Sequence, residues 1–536
     1  MIITILICLY TLALCGVYGA FFFKTAPFPL AAVAGLAILT VLAQFLSIFV
    51  QIGLFAQLLI LAGAIGIILV RRIQRAGRIS PAAVLPLILL IIALVVVLEN
   101  ATHRPAHPDT NLYHAQAIRW IETYPAVPGL GNLFGRLSYN SAWMVANALF
   151  SFSFLGGQSF HLMSAVLFLL AVIVFWQGFV DLYAGRFSAS SALKALFLPL
   201  AFYLLGADVS SPATDLPVSL LLWIIVILWA ERAEDEKPYH TPLIVLLAAF
   251  AVTVKLSAAP VALLAVIALG AEWLAGRKRR FIGIAACGLV VILPFLVRNI
   301  ILSGYLVYPY PAIDLFSFDW KIPFERAYSD QTTVIAFGRK LTGETVTTTP
   351  FWAWFPRWLS MQTFNRRVIL FLALLTPLAG LAARFQPRKT WLGWLGMYAG
   401  VLFWQFSAPD FRFGYGFLIG TLALALTPAL SALLKRLPLP SRPVSSALIL
   451  LAAGFLLLTL ASSFEARTFA SRWLLPADYD HVPTQLCPEA GDIFCSRSVN
   501  EYSACSYFDF PCVPFIRSNI EMRGATWRDG FRGVSK

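Results

Sequence analysis

The chain has 536 residues, of which 59% are hydrophobic and only 12% charged, and its mean hydropathy is +0.79. A water-soluble fold of that size cannot hide so much apolar surface, whereas a bilayer solvates it. The formal charge of +14 does not point to nucleic acid, because Lys and Arg sit mainly in short clusters between apolar stretches, where they set orientation.

A span needs about 20 mostly apolar residues. The first such stretch, about 1–23, lacks a basic leader and a small-residue cleavage site, which predicts a retained helix. Stretches at about 28–48 and 51–70 follow, then the basic run Arg71, Arg72, Arg75, Arg78 and a fourth stretch at about 81–98. A polar loop near 99–140 comes next. Further apolar stretches lie at about 159–180, 195–207, 214–231, 241–255, 257–276 and 281–301. A second long loop runs to about 366, and the last four stretches are at about 367–384, 390–407, 413–434 and 443–462. The expected fold is therefore an all-α polytopic membrane protein with about fourteen transmembrane helices. Residues 1–80 form an N-terminal group, 81–462 a module with loops 99–158 and 302–366, and 463–536 a polar tail.

If Arg71–Arg78 are cytoplasmic, the other short basic connections fall on the same side. These are Lys24, Arg186/Lys194, Arg277–Arg280, Arg384/Arg388/Lys389 and Lys435/Arg436/Arg442. The opposite short connections carry only Lys255 and Arg412. This positive-inside pattern puts both termini outside the cytoplasm. The acidic Glu231–Lys237 segment is read as a solvated turn inside. Cys8, Cys15 and Cys287 lie in apolar segments and are read as packing residues. Cys487, Cys495, Cys505 and Cys512 crowd the tail without a CxxC zinc spacing, which predicts two disulfides in an oxidising compartment, with three connectivities open.

On this topology the unusual polar residues gather on the outer side. The first outer loop reads HRPAHPDTNLYHAQAIRW and holds three of the chain's six histidines. Asp109 stands between His107 and His114, just before an amphipathic helix with Leu112, Ile118 and Ile121 on its apolar face. The plainest reading of Asp109 is an N-cap. Other outer turns deliver Asp208 and Asp215 (GADVSSPATD), Lys255 (VKLSAAP), Arg298-Asn299 before SGYLVYPYP, and Asp410 with Arg412 (APDFRFGYG). Any one of these alone is a snorkelling helix end or a structural ion pair. Together they suggest one site, because charge at membrane depth is costly and marks function. Cations at the membrane surface suit a lipid-linked phosphate, and a nearby carboxylate can deprotonate an attacking hydroxyl. The aromatics Tyr305, Tyr308, Tyr310, Trp320, Trp352, Trp354 and Trp358 read first as an interfacial belt and second as a sugar-stacking surface.

This layout resembles the GT-C superfamily of polyprenyl-phosphate-sugar glycosyltransferases, which includes protein mannosyltransferases and lipid A aminoarabinose transferases. The resemblance covers about residues 81–430, and HPDTNLYHAQAIRW carries it. It implies that Asp109 matches the family's catalytic carboxylate and that Lys255, Arg298 or Arg412 binds the donor phosphate; His107, Tyr113, His114, Asp208, Asp215, Asn299 and Asp410 are further substrate-binding candidates by their place on the same side. It implies a lipid-linked (undecaprenyl-phosphate) sugar donor, a glycan, lipid or protein acceptor, and a bacterial inner-membrane location with the site facing the periplasm. The chain departs from the family in placing the acidic loop after the fourth helix, not the first. Thr110 and Asn111 also follow Asp109, where the family often has a second acid; Asp208 or Asp215 would supply that partner. The short tail does not match the large soluble domain of oligosaccharyltransferases.

No cofactor is implied with certainty. A divalent metal held by His103, His107, His114 and Asp109 is the weaker reading, since HxxxHxDxxxxH is not an HExxH spacing. An O-antigen polymerase or ligase is the alternative enzyme, resting on Arg326, Arg339, Arg357 and Arg366 in a late loop that lacks histidine. A lipid-linked sugar flippase or transporter is less favoured, because transporters place polar groups at the midplane of repeated halves and no repeat is visible.

Overall fold

A computed structural model of the chain describes residues 1–70, 84–343, 345–382, 388–436, 441–487, 492–497, 504–515 and 520–533. Side chains at 379–382, 388–389, 431–436 and 441 are outside that description. The basic run Arg71–Arg78 and Arg384 lie outside the described residues, and Arg388, Lys389, Lys435 and Arg436 outside the described side chains.

Among the described residues, nine helices are long and apolar enough to cross a membrane. They are Ile2–Phe22, Phe28–Phe49, Met163–Tyr183, Ala189–Asp208, Asp215–Glu234, Leu256–Leu274, Lys278–Ser303, Phe411–Leu430 and Arg442–Ser463. The remaining expected spans are also helical, as Leu54–Val70, Val84–Asn100, His240–Val254, Phe364–Ala382 and Arg388–Phe406. The bundle is organised around Asp215–Glu234. Every residue from Asp215 to Ala230 is buried, as expected of a helix apolar on all sides. It packs on Phe411–Arg436, His240–Val254 and Ala189–Leu205. The first two helices meet backbone to backbone. A Cβ on Gly19 would stand 1.8 Å from the Ala31 carbonyl oxygen, and one on Gly35 1.9 Å from that of Cys15. Without a hydrophobic force between helices in lipid, such small-residue contacts supply the packing. On Ser441–Ser463, Leu450, Leu451 and Leu458 are 60%, 71% and 72% exposed, a surface suited to lipid.

The first outer loop contains more helix than expected. Ala142–Leu149 is buried throughout between Phe28–Phe49, Ala115–Thr123 and His240–Val254, so AWMVANAL is part of the core. The late loop carries two short helices, Phe324–Arg339 and Phe351–Ser360.

The tail departs from an all-helical chain. Thr484–Leu486 pairs antiparallel with Phe494–Ser496, which pairs parallel with Cys512–Val513, and Ile520–Met522 pairs with Phe531–Gly533. The four cysteines pair in sequence order, Cys487–Cys495 and Cys505–Cys512. The tail sits on the first outer loop: the Ala477 N–H donates to the Thr102 carbonyl at 2.8 Å, and Arg104 pairs with Asp480 at 2.7 Å. The Met1 ammonium donates to the Arg472 carbonyl at 2.5 Å, so the N-terminus meets the base of the tail at the same end of the bundle.

Candidate functional site

The chain enters the site through one distortion. Residues Thr110–His114 form a single π-helical turn ahead of the α-helix Ala115–Thr123, a feature that often accompanies function. Asp109 occupies the N-cap position of that turn, but its side chain accepts no capping hydrogen bond. The carboxylate is turned instead towards Arg136, whose Nη1 is 3.6 Å from Oδ1, and towards His107, whose Nδ1 is 4.0 Å from Oδ2. The capping role is therefore not the one it plays.

Asp109 borders a cavity of about 1040 Å³. Tyr113, Lys255, Arg298 and Arg412 line the same space, although they come from the first outer loop and the ends of three further segments. Arg136 lines it too, so its charged walls hold four cations and one carboxylate. Phe337, Phe403, Phe406 and Val334 make an apolar stretch of wall. That mix of an apolar lining with a few convergent charges is the usual form of a ligand site.

Behind the lining, the other candidates act as supports. Asp215 begins the central helix and pairs with Lys255, whose ammonium also stands 3.8 Å over the Phe413 ring. His107 is buried, with Nε2 2.8 Å from Arg412 Nη1 and 3.6 Å from Asp215 Oδ2. The Asp109 N–H also faces its Nδ1 at 3.2 Å. A neutral imidazole accepts at one ring nitrogen only. The Arg412 guanidinium and the Asp109 N–H are both donors, so they compete for that one acceptor. Arg412 is held from its other side by Asp410, 3.4 Å from its Nε, and Lys340 reaches the same carboxylate at 3.8 Å. Arg298 is anchored, with Nε donating to Asn140 at 3.1 Å and Nη1 to the Ser47 hydroxyl at 2.7 Å. Asn299 accepts from the Asn140 side-chain amide at 3.1 Å and donates to the Leu306 carbonyl.

His114 is fully buried, its ring 5.8 Å from that of His107. Burial holds its imidazole uncharged and pushes its pKa down to about 3. Burial likewise pushes the Tyr113 phenol above its ordinary value. Asp208 does not border the cavity. Among the described residues no group of three or more His, Cys, Asp and Glu is arranged to hold a metal; His103 is engaged with Glu99 at 2.8 Å.

Arg136, Tyr139, Asn140 and Ser141 are lining residues that the sequence does not single out, whereas Tyr308 and Tyr310 come from the aromatic set named above. Arg136 in FGRLSYN has no acidic neighbour in sequence, and its partner lies 27 positions upstream. The only available signal was its place in the same outer loop as Asp109.

No curated protein and no solved structure matches the chain. A family model matches residues 1–419, a range that includes every cavity residue named above from Asp109 to Arg412. The chain thus belongs to the family described as a domain of unknown function, DUF8201.

Proposed function

We propose that this is a membrane glycosyltransferase of GT-C type. It moves a sugar from a polyprenyl-phosphate donor to an acceptor hydroxyl on the periplasmic face of a bacterial inner membrane, with about fourteen crossings. The observation that carries this reading is the cavity wall, with one carboxylate among four cations beside an apolar surface. An anionic lipid-linked donor needs that combination: charge for its phosphate and an apolar wall for its chain. The outward orientation draws support from the two tail disulfides, which pack at the cavity end and belong to an oxidising compartment.

In this mechanism the Asp109 carboxylate takes the proton of the acceptor hydroxyl. The hydroxyl oxygen bonds to the anomeric carbon with inversion, the carbon–phosphate-oxygen bond breaks, and the phosphate leaves with its electron pair. Lys255 and Arg412 stabilise that phosphate, a point charge and a planar fork respectively. Asp215 and Asp410 hold the two cations in place, and Arg136 orients Asp109.

The test is the purified full chain in liposomes with radiolabelled polyprenyl-phosphate sugar. Labelled product should form without net movement of donor across the bilayer. Asp109→Asn should slow turnover by about 100- to 10,000-fold, the range of general-base catalysis, with normal expression. Full activity in that variant, or transport without transfer, overturns the reading.

A further inference from the structure

The tail segment 504–515 is closed on itself by the Cys505–Cys512 disulfide and rests on the turn that carries Asp109. Both bridged cysteines bind the outer-loop helix directly. The Cys505 N–H donates to the Asn111 carbonyl at 2.9 Å, joined by the Ser506 N–H at 3.1 Å. The Cys512 N–H donates to Gln116 Oε1 at 3.0 Å. Gln116 is buried and uses both ends of its amide, since Nε2 donates to the carbonyls of Ser506 and Asp509 at 2.9 and 2.8 Å. One helical turn on, Arg119 donates to the carbonyls of Tyr507 and Phe508, with its guanidinium 5.1 and 5.0 Å from the Tyr507 and Phe510 rings. Asn111 and Ala504 both border the cavity.

An irregular segment can present this many backbone groups to one short helix only if its freedom is restricted beforehand. The disulfide supplies that restriction. The π turn Thr110–His114 gains part of its definition from the same contacts, since Asn111 lies inside it.

We propose that the disulfide-closed loop is a clamp on the candidate site, that Gln116 is the positioning residue through which it holds the Asp109 turn, and that reducing Cys505–Cys512 releases that hold. The reductant is a dithiol. Its two thiols give up two electrons and two protons by thiol–disulfide exchange, leaving Cys505 and Cys512 as thiols and the reductant as a disulfide. The catalytic consequence rests on the transferase reading above, but the clamp itself does not.

The experiment compares the wild-type full chain in lipid nanodiscs with Cys505→Ser/Cys512→Ser and with Gln116→Leu, which leaves the disulfide intact. Hydrogen exchange reads the clamp. Amides of 110–115 should exchange about tenfold faster or more in both variants, while Asp215–Glu234 stays as protected as in wild type. The transfer assay reads positioning: kcat should fall about tenfold or more with the donor KM within about twofold of wild type. Gln116→Glu, which keeps the bond from the Cys512 N–H, should recover part of both effects. Unchanged exchange at 110–115 overturns the clamp whether or not the protein transfers sugar. Faster exchange with unchanged kcat overturns the positioning role. If the wild type transfers nothing, the transferase reading fails and the exchange result alone decides the clamp.

Discussion

The two ends of the helix bundle carry comparable charge and use it differently. Along the central helix, Asp215 and Glu231 are separated by 16 residues, about 24 Å at the α-helical rise. At the Glu231 end the shortest contacts are Lys194–Glu231 at 2.5 Å, Arg277–Glu272 at 2.6 Å and Arg186–Asp181 at 2.7 Å, with His240–Glu231 and Arg280–Glu272 at 3.5 Å. At the Asp215 end Lys255–Asp215 is equally close, and so, away from the cavity wall, is Arg104–Asp480 at 2.7 Å. Other pairs around the cavity stand apart, with Arg136–Asp109 and His107–Asp215 each at 3.6 Å and Lys340–Asp410 at 3.8 Å. A short pair away from any cavity keeps each charge on its partner. Charges held apart around a cavity are half-satisfied and ready for a ligand. Counting ionisable residues in turns would score the two ends alike; the cavity that the charges border at one end separates them.

The sharpest break of this comparison removes the matching lysine at each end. Lys194→Met and Lys255→Met should each destabilise the protein by about 3–5 kcal/mol, because each strands a carboxylate. Thermal unfolding in detergent measures this. Only Lys255→Met should also weaken donor binding; equal loss of binding in both erases the distinction. A smaller effect is expected for Arg412→Ala, which removes a charge-assisted contact worth about 1.5–3 kcal/mol and so about 10- to 100-fold in donor affinity. Equilibrium binding of a fluorescent polyprenyl phosphate reports it, and unaltered affinity places the phosphate elsewhere.

The smallest effect at neutral pH concerns His114. Its folded pKa, about 3, lies below the ordinary 6.5, so the unfolded loop binds the proton more readily. The buried imidazole therefore favours folding fully above pH 6.5, and this advantage falls as pH drops from 6.5 towards 3, by at most about 1.4 kcal/mol per pH unit. His114→Asn should flatten that acid response when exchange of the outer-loop amides is followed against pH. An unaltered slope assigns the response to other groups.

Hydropathy along the chain suffices to locate the helices, because a stretch such as Met163–Tyr183 announces its solvent through its length and composition alone. It fails at Ala142–Leu149, which is apolar but short, and therefore looked like loop until packing buried it. The candidate site was partly legible. Asp109, Lys255, Arg298 and Arg412 stand out because charge at a helix end in an apolar chain is rare, and all four reach one cavity. What each one does there was not legible. His107 was read as a substrate ligand, but it is buried behind the lining and links Arg412 to Asp109.

Composition and spacing therefore account for the membrane helices and for four tail cysteines destined to pair, since both follow from local chemistry and compartment. Folding alone chose the Cys505–Cys512 pairing, brought Arg136 to Asp109 across 27 residues, and set Gln116 against a loop nearly 400 positions away. The physical reason is that polar loops have no period and interact through space, where separation along the chain carries no information about distance.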